Sequence, residues 1–234
     1  MKACKLYPLA FLIALAVPAF AANGETASTL SELDAGIAQK NAAIAEHRDD
    51  SCSNVGKLLE RMFDVDQFAR SSLGPICPTW EKNCLLTVWP RVMAIDDSNL
   101  KILKPIIASY SWHELKACGG KDAQLHAWLL VQHADRDTPF QHAVLVKMRA
   151  AFLAGEVSAT DYAYLVDRVA MWERRPQTFG TQGGCEGNSW KPIPLLDPAG
   201  LDERRREVGL EPEAVYAGSV AEMYCKPQPV TPRP

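Results

Sequence analysis

The sequence of 234 residues lacks the short motifs that mark several large enzyme classes. It contains no G-x-S-x-G, no H-E-x-x-H, no P-loop and no G-x-G-x-x-G, which are signatures of serine hydrolases, metalloproteases and nucleotide-binding proteins. A C-x2-C pair, the usual mark of a zinc knuckle, is also missing. No reaction can therefore be read from a motif, and whether the protein is an enzyme stays open at this level.

Clustered positive charge is scarce as well. The chain has 25 Lys and Arg residues against 28 Asp and Glu residues, and the basic ones are scattered apart from a short run at 204–206. A nucleic-acid-binding surface needs a basic stripe or patch, so nucleic acid is excluded as a partner. The composition is that of a globular protein without internal repeats, and the length suits one domain with a loose arm at each end.

The chain begins with features of an export signal. Two lysines precede an apolar run from Leu6 to Phe20, and the small residues of "AFA" at 19–21 suit a signal peptidase. An uncleaved anchor is the alternative, but the run is short for a span of about 20 residues and contains Pro18. We predict a signal peptide over residues 1–21, a periplasmic or secreted location, and no membrane span in the mature chain.

Cysteine usage agrees with export. Of the seven cysteines, Cys4 leaves with the signal peptide, and an even number remains. An even set in an exported chain favours disulfides over zinc, although the sequence leaves the connectivity open. Two pairings suggest themselves: Cys77 with Cys84 closes a proline-flanked loop, and Cys185 with Cys225 ties the C-terminal arm back. The remaining cysteines are Cys52, Cys77, Cys84, Cys118, Cys185 and Cys225.

Apolar spacing predicts a mainly α fold: an irregular multi-helix bundle with a Gly/Pro-rich loop region, stapled by disulfides. Helical spacing is clearest after residue 120, where Asp137 or Thr138 can cap a helix that Gly155 ends. Four prolines between residues 75 and 105 are expected to break the middle of the chain into short pieces. The predicted divisions are an N-terminal helical arm at 22–50, a single helical domain at 51–225 and a disordered tail at 226–234.

Several motifs occur in a fixed order along residues 89–216 and resemble an uncharacterised bacterial family, a domain of unknown function. The resemblance brings no activity with it, but it implies that the polar positions of these motifs belong together. Near residues 111–120 and after residue 182, cysteine-containing segments depart from the family pattern. The motifs are "WP" at 89–90, "QHADRDTPFQ" at 132–141, "DYAYLVDRV" at 161–169, "RPQTFGTQ" at 175–182 and "DERRREVGLEPEAVY" at 202–216.

The stretch "VQHADRDTPFQ" at 131–141 carries the candidate catalytic residues His133, Asp135 and Asp137. Asp137, near the start of a helix, is expected to stay ionised and to orient the imidazole of His133. A histidine so oriented can serve as a general base or as a metal ligand. The alternative is structural: Asp137 caps the helix, and His133 bonds to a backbone carbonyl in the core.

A second group of polar residues would line the same pocket as ligand-binding residues. A buried Arg168 needs a partner, which is either a carboxylate or phosphate of a ligand or the loop "QTFGTQ" that it pins. Because one histidine with carboxylates is a poor zinc set, we predict neither metal nor cofactor. The predicted ligand-binding residues are Gln132, Gln141, Asp167, Arg168, Thr181 and Gln182.

Two functions from different classes fit these features. The first is an exported helical protein with one polar pocket that binds or hydrolyses a small polar ligand, such as a sugar or a peptide fragment. The second is a periplasmic interaction protein, such as an immunity or inhibitor protein, whose partner is an envelope protein. In that case Trp80, on the bridged loop "SSLGPICPTWEKNC", would be the aromatic anchor.

Overall fold

The computed structural model describes residues 24–77 and 82–226. The predicted signal peptide at 1–21 and the Trp80 anchor lie outside these ranges, as does nearly all of the predicted tail at 226–234.

The described residues are mainly helical and are joined by disulfides, which confirms the predicted fold class. The elements in chain order are α1 (Gly24–Glu46), α2 (Val55–Ser71), α3 (Leu73–Ile76), α4 (Lys82–Ser109), α5 (Trp112–Gln132), α6 (Thr138–Leu153), α7 (Ala159–Trp172), β1 (Gly183–Glu186), β2 (Ser189–Pro192), α8 (Leu201–Glu207), α9 (Glu213–Val220) and a π-helical turn (Ala221–Cys225).

Local signals set the ends of the helices. Ser111 and Glu114 form a reciprocal capping box at the start of α5. Asp137 caps α6 ahead of Pro139, as the sequence predicts. Gly155 follows the end of α6 with φ of 71°, a conformation that a residue without Cβ adopts readily.

Helix α4 runs through Pro90 and Pro105, so the prediction of short pieces in this region is wrong there. Both prolines lie on the exposed side of the helix. Water can hydrogen-bond the carbonyl groups that each proline leaves without an N–H partner. Burial of the opposite side, at residues such as Val92 and Ile95, outweighs the local penalty.

Helix α2 contacts α1, α4 and α5 and forms the middle of the core. Its approach to α5 is close at Gly56 and Gly119, where a Cβ on Gly119 would lie 2.7 Å from the Cα of Gly56. The absence of side chains at this crossing allows the two helices to meet. The apolar stripe that α2 buries consists of Val55, Leu58, Leu59, Met62 and Val65.

The Gly/Pro-rich region contains a short antiparallel hairpin that apolar spacing did not indicate. Strands β1 and β2 pair from Gly183 with Pro192 to Glu186 with Ser189, around a two-residue turn at Gly187 and Asn188. Strand β2 packs against α9. Strand β1 is mostly exposed and begins with two glycines, and β2 buries only Trp190, so neither short segment carries the extended apolar alternation that predicts a strand.

Three disulfides join cysteines among the described residues, and two of them have the pairing that the sequence suggests. Cys77 bonds to Cys84, and Cys185 bonds to Cys225. The third bridge joins Cys52, just before α2, to Cys118 within α5. It lies beside the Gly56–Gly119 crossing and holds α2 and α5 together there.

None of the described helices is both long and apolar enough to span a membrane.

Candidate functional site

Two charged residues lie on the buried side of α2. Asp66 and Arg70 are one helical turn apart, and their side chains are 0% and 3% exposed. Arg70 donates from Nη1 to Asp66 Oδ1 and from Nη2 to both oxygens of Asp96 on α4, each at 2.9 Å. A charge pair this deeply buried costs desolvation free energy that only close partners offset. The guanidinium therefore fixes the relative positions of the two carboxylates.

His133 reaches the same place from the C-terminal end of α5. Its Nδ1 lies 2.8 Å from Asp66 Oδ1, and the ring is 4% exposed. Its Nε2 is buried and has no hydrogen-bond partner within the ranges that the structure describes. Asp66 thus orients the imidazole through one nitrogen and leaves the other available.

Asp135 extends the site toward α7. Its Oδ1 accepts a hydrogen bond from the indole Nε1 of Trp172 at 2.6 Å and from Gln141 Nε2 at 3.3 Å. Its Oδ2 lies 3.5 Å from Nη1 of Arg168, whose side chain is 2% exposed. That Nη1 makes no hydrogen bond to any described residue. Arg168 is therefore a buried cation with an incomplete set of acceptors.

Gln132 is also fully buried against Arg168. Its amide can be placed with the oxygen 3.3 Å from Arg168 Nε, or turned so that the oxygen accepts from the backbone N–H of Leu165 at 2.8 Å. The second placement gives the shorter bond and adds Trp128 Nε1 at 3.2 Å, so we favour it. Arg168 then loses Gln132 as an acceptor.

These side chains form one group, which we call the polar cluster. The charges of Asp135 and Arg168 are close enough to the Arg70 side of the group to alter the pKa values there. The polar cluster consists of Asp66, Arg70, Asp96, His133, Asp135 and Arg168.

Burial and neighbouring charges together set the pKa values of the cluster. Burial lowers the pKa of His133, and the nearby Arg70 lowers it further, so the imidazole is neutral near pH 7. Burial raises the pKa of Asp66, but His133 and Arg70 outweigh burial, and the pKa is lowered overall. Burial and the carboxylates of Asp66 and Asp135 raise the pKa of Asp96 to about 8, although Arg70 opposes this.

The residues of the cluster include one possible set of metal ligands. Asp66, Asp96 and His133 each offer a ligand atom within 4.8 Å of the others. The guanidinium of Arg70, however, donates to both carboxylates and supplies the positive charge that a cation would bring. The donor set therefore fits a metal poorly while Arg70 is in place.

Asp137 lies apart from the imidazole. Its side chain accepts from the backbone N–H of Phe140 at 3.1 Å, as an N-cap, and also pairs with Lys104. Lys104 lowers its pKa, with Phe140 contributing through its N–H. The structure places Asp66, and not Asp137, against Nδ1 of His133.

Asp167 holds the loop "QTFGTQ" at 177–182. Its carboxylate accepts from the backbone N–H groups of Thr178, Phe179 and Thr181, at 2.7–3.2 Å, and from the hydroxyl of Thr181 at 3.0 Å. Burial raises the pKa of Asp167 in spite of these bonds. Gln182 closes the loop by donating its backbone N–H to Gln177.

Of the nine predicted site residues, the structure brings His133, Asp135, Arg168, Gln132 and Gln141 into or against the polar cluster. Thr181, Gln182 and Asp167 hold the neighbouring loop, and Asp137 caps a helix.

Asp66, Arg70 and Asp96 belong to the cluster but were not singled out from the sequence. A signal for the first two was present, because Asp66 and Arg70 fall on the same side of α2 as its apolar stripe. Charged residues at core positions are rare unless they are paired, and that rarity marks them. For Asp96 we find no comparable signal.

In chemical terms, the cluster holds a neutral imidazole with a carboxylate at one nitrogen and a free lone pair at the other. That is the arrangement of a general base, in which the carboxylate stabilises the imidazolium formed on proton uptake.

Comparison with known proteins gives a family match without a known activity. A model of DUF6624, a family of unknown function, matches residues 55–226, which is well over half of the chain. No curated protein and no solved structure matches.

Proposed function

The chain belongs to DUF6624, a family of unknown function, and we propose that it binds a small polar ligand at the polar cluster, or hydrolyses it. The observation that carries the proposal is the buried Nε2 of His133, which has no partner among the described residues while Nδ1 is held by Asp66. An unpartnered buried polar atom costs roughly 1–3 kcal/mol, and a ligand that supplies the partner recovers that loss.

For hydrolysis, His133 acts as the general base. Nε2 takes a proton from water as the water oxygen bonds to the carbonyl carbon of an ester or amide. The imidazolium then returns that proton to the leaving oxygen or nitrogen as its bond to carbon breaks. Asp66, at Nδ1, stabilises the imidazolium between these two steps.

The proposed setting is the periplasm or the exterior of the cell. Three disulfides among the described residues support it, since such bonds persist in oxidising compartments. Sequencing the N-terminus of the exported protein tests the signal peptide, and we expect the mature chain to begin at Ala22.

The ligand-binding proposal is tested with His133→Gln, which removes the titratable nitrogen but keeps a polar side chain. Binding is measured by calorimetry against a panel of muropeptides, sugars and short peptides. We expect loss of affinity of at least about tenfold, equivalent to about 1.4 kcal/mol, with the melting temperature within a few degrees of wild type. The matched control is His126→Gln, seven residues earlier on α5 and outside the cluster, which should leave binding unchanged.

Unchanged binding in His133→Gln would contradict the proposal. So would a wild-type protein that binds no member of the panel.

A second candidate function is supported by the Cys77–Cys84 bridge, which closes the loop that carries Trp80. We propose as the alternative that this loop docks on an envelope protein as an immunity or inhibitor protein would. Affinity capture from the envelope of the producing organism should then give a stoichiometric partner. That partner should be lost with Trp80→Ala and retained with Trp89→Ala, a tryptophan in α4.

A further inference from the structure

Given the proposed function, the unpartnered atoms and the charge of the polar cluster determine the class of ligand that it accepts. Two buried acceptor atoms at the site, His133 Nε2 and Gln141 Oε1, have no hydrogen-bond partner within the described residues. One buried donor, Nη1 of Arg168, is in the same position. With Gln132 turned toward Leu165, Nε of Arg168 also lacks an acceptor among the described residues. The unfilled atoms are therefore both donors and acceptors, so a fitting ligand must both donate and accept hydrogen bonds.

The most exposed members of the cluster are both acidic. The side chains of Asp96 and Asp135 are 11% and 13% exposed, whereas those of Asp66, Arg70, His133 and Arg168 are 0–4% exposed. A ligand approaching from solvent meets the two carboxylates before it meets either guanidinium. An anionic group would be repelled at that point.

The total charge of the cluster also disfavours an anionic ligand. Three carboxylates, two guanidiniums and a neutral imidazole give a net negative charge when every carboxyl is ionised. A proton on Asp96, whose pKa burial raises to about 8, brings the net charge to zero at most. In neither state does the cluster have positive charge left over for a phosphate or carboxylate.

A hydroxyl group satisfies both kinds of unfilled atom, because it donates one hydrogen bond and accepts others. It can donate to His133 Nε2 or Gln141 Oε1 and accept from Arg168 Nη1. Trp172 adds a half-buried aromatic ring, which its bond to Asp135 holds in place beside these polar atoms. Aromatic surface with a few oriented polar groups is a common lining of small-molecule sites.

We infer that the polar cluster selects an uncharged polyhydroxylated ligand, such as a sugar, and excludes its anionic counterparts. Asp135 excludes the anions near pH 7, and Asp96 adds to the exclusion only above its pKa of about 8.

The experiment compares neutral sugars with anionic counterparts by calorimetry on the intact disulfide-bonded protein. The pairs are glucose with glucose 6-phosphate, galactose with galacturonic acid, and N-acetylglucosamine with its 6-phosphate. We expect at least one neutral sugar to bind, and its anionic counterpart to bind at least about tenfold more weakly. An anionic sugar that binds as well as its neutral counterpart, or better, overturns the inference.

A charge variant tests the two carboxylates directly. At pH 7, Asp135→Asn should raise the affinity for the anionic sugar by about tenfold relative to the neutral one. Asp96→Asn should change this ratio little at that pH, because the pKa of Asp96 is about 8 and its carboxyl is largely protonated. Asp97→Asn is the matched control, because Asp97 neighbours Asp96 but pairs with Arg136 in a solvent-exposed contact. The same relative change in all three variants, or in none, contradicts the assignment of anion exclusion to the cluster.

The outcome also separates this inference from the proposed function. Binding of peptides but of no sugar, lost in His133→Gln, overturns the sugar inference and leaves the proposed site intact. Binding of no compound of either kind overturns both, with an ordered water as the sole occupant of the cluster.

Discussion

Asp66 is the residue on which the polar cluster depends, because Arg70 and His133 both bond to its Oδ1. Removing it leaves a buried guanidinium with one carboxylate partner fewer and an imidazole with no orienting group. The cost of such a change is dominated by the group left behind and not by the bond that is lost.

We therefore expect Asp66→Ala to lower the free energy of unfolding by about 3–5 kcal/mol. The matched control is Asp64→Ala on the same helix, where the carboxylate is 65% exposed and pairs with Lys40. That change should cost no more than about 1 kcal/mol. Urea denaturation at neutral pH measures both, and equal losses in the two variants would argue against a tightly coupled cluster.

Titration of His133 makes the free energy of unfolding decrease as the pH falls. Burial, followed by Arg70, lowers its pKa in the folded protein, while the unfolded chain titrates near the ordinary value of about 6.5. The unfolded state thus binds the proton more readily, so the contribution to stability is complete above about pH 6.5 and falls as the pH decreases.

The wild-type protein should accordingly lose stability relative to His133→Gln between about pH 7 and pH 5. The measurement is urea denaturation of both proteins at each pH. Asp96, whose raised pKa acts in the opposite direction, is present in both and does not create the difference. A difference between the two proteins that stays constant with pH would refute this role of His133.

At the scale of the element, sequence reasoning succeeds where the signal is local. Asp137 and Pro139 act at the start of α6 and Gly155 acts directly after its end, so each signal lies within a few residues of the helix end that it sets. It fails where distant packing decides, as in α4, where a buried stripe keeps two prolines inside one helix.

Some residues of the candidate site can likewise be predicted from local sequence, and others only from the fold. His133 can be found from the sequence because it lies in a polar motif, and Arg168 because apolar residues flank it. Neither signal depends on residues that are distant in sequence. Asp96 does not stand out, since only the packing of α4 beside α2 gives it a role. The motif predicts Asp137 as the residue that orients His133, whereas the fold places Asp66, 67 residues away in sequence, against its Nδ1.

The loop at 177–182 depends on α7 through a single carboxylate. Asp167→Asn replaces one accepting oxygen by an NH2 group that cannot accept from the backbone N–H groups of the loop. We expect a loss of about 2–3 kcal/mol and faster amide exchange at Thr178, Phe179 and Thr181. Hydrogen exchange followed by mass spectrometry checks this, and unchanged protection of the loop would refute the role of Asp167.

The crossing of α2 and α5 requires the absence of a side chain. In Gly119→Ala the new Cβ would lie 2.5 Å from the Cβ of Ala123 and 2.7 Å from the Cα of Gly56. Because backbone must move, we expect destabilisation of about 1–3 kcal/mol. Gly218→Ala in α9 is the control: its Cβ meets nothing within 4 Å, and the change should be neutral or stabilising by up to about 1 kcal/mol. Thermal denaturation distinguishes them, and a neutral Gly119→Ala would argue against the close contact.

At the scale of the whole molecule, the disulfides differ in how much chain they restrict. The bridge from Cys52 to Cys118 spans 66 residues and joins α5 to the start of α2. The bridge from Cys185 to Cys225 spans 40 residues, and the one from Cys77 to Cys84 spans seven. If cross-links act mainly on the unfolded chain, the longest loop contributes most.

The chain-entropy relation gives about 4 kcal/mol for the Cys52–Cys118 loop and about 2 kcal/mol for the Cys77–Cys84 loop. We therefore expect the double variant Cys52→Ser with Cys118→Ser to melt several degrees below the double variant Cys77→Ser with Cys84→Ser. Differential scanning calorimetry of the oxidised proteins gives the order, after mass spectrometry has shown no free thiol in the mature wild-type chain. Equal melting temperatures would mean that local contacts around each bridge, and not loop length, set its contribution. Two or more reactive thiols in the wild-type protein would refute the pairing itself.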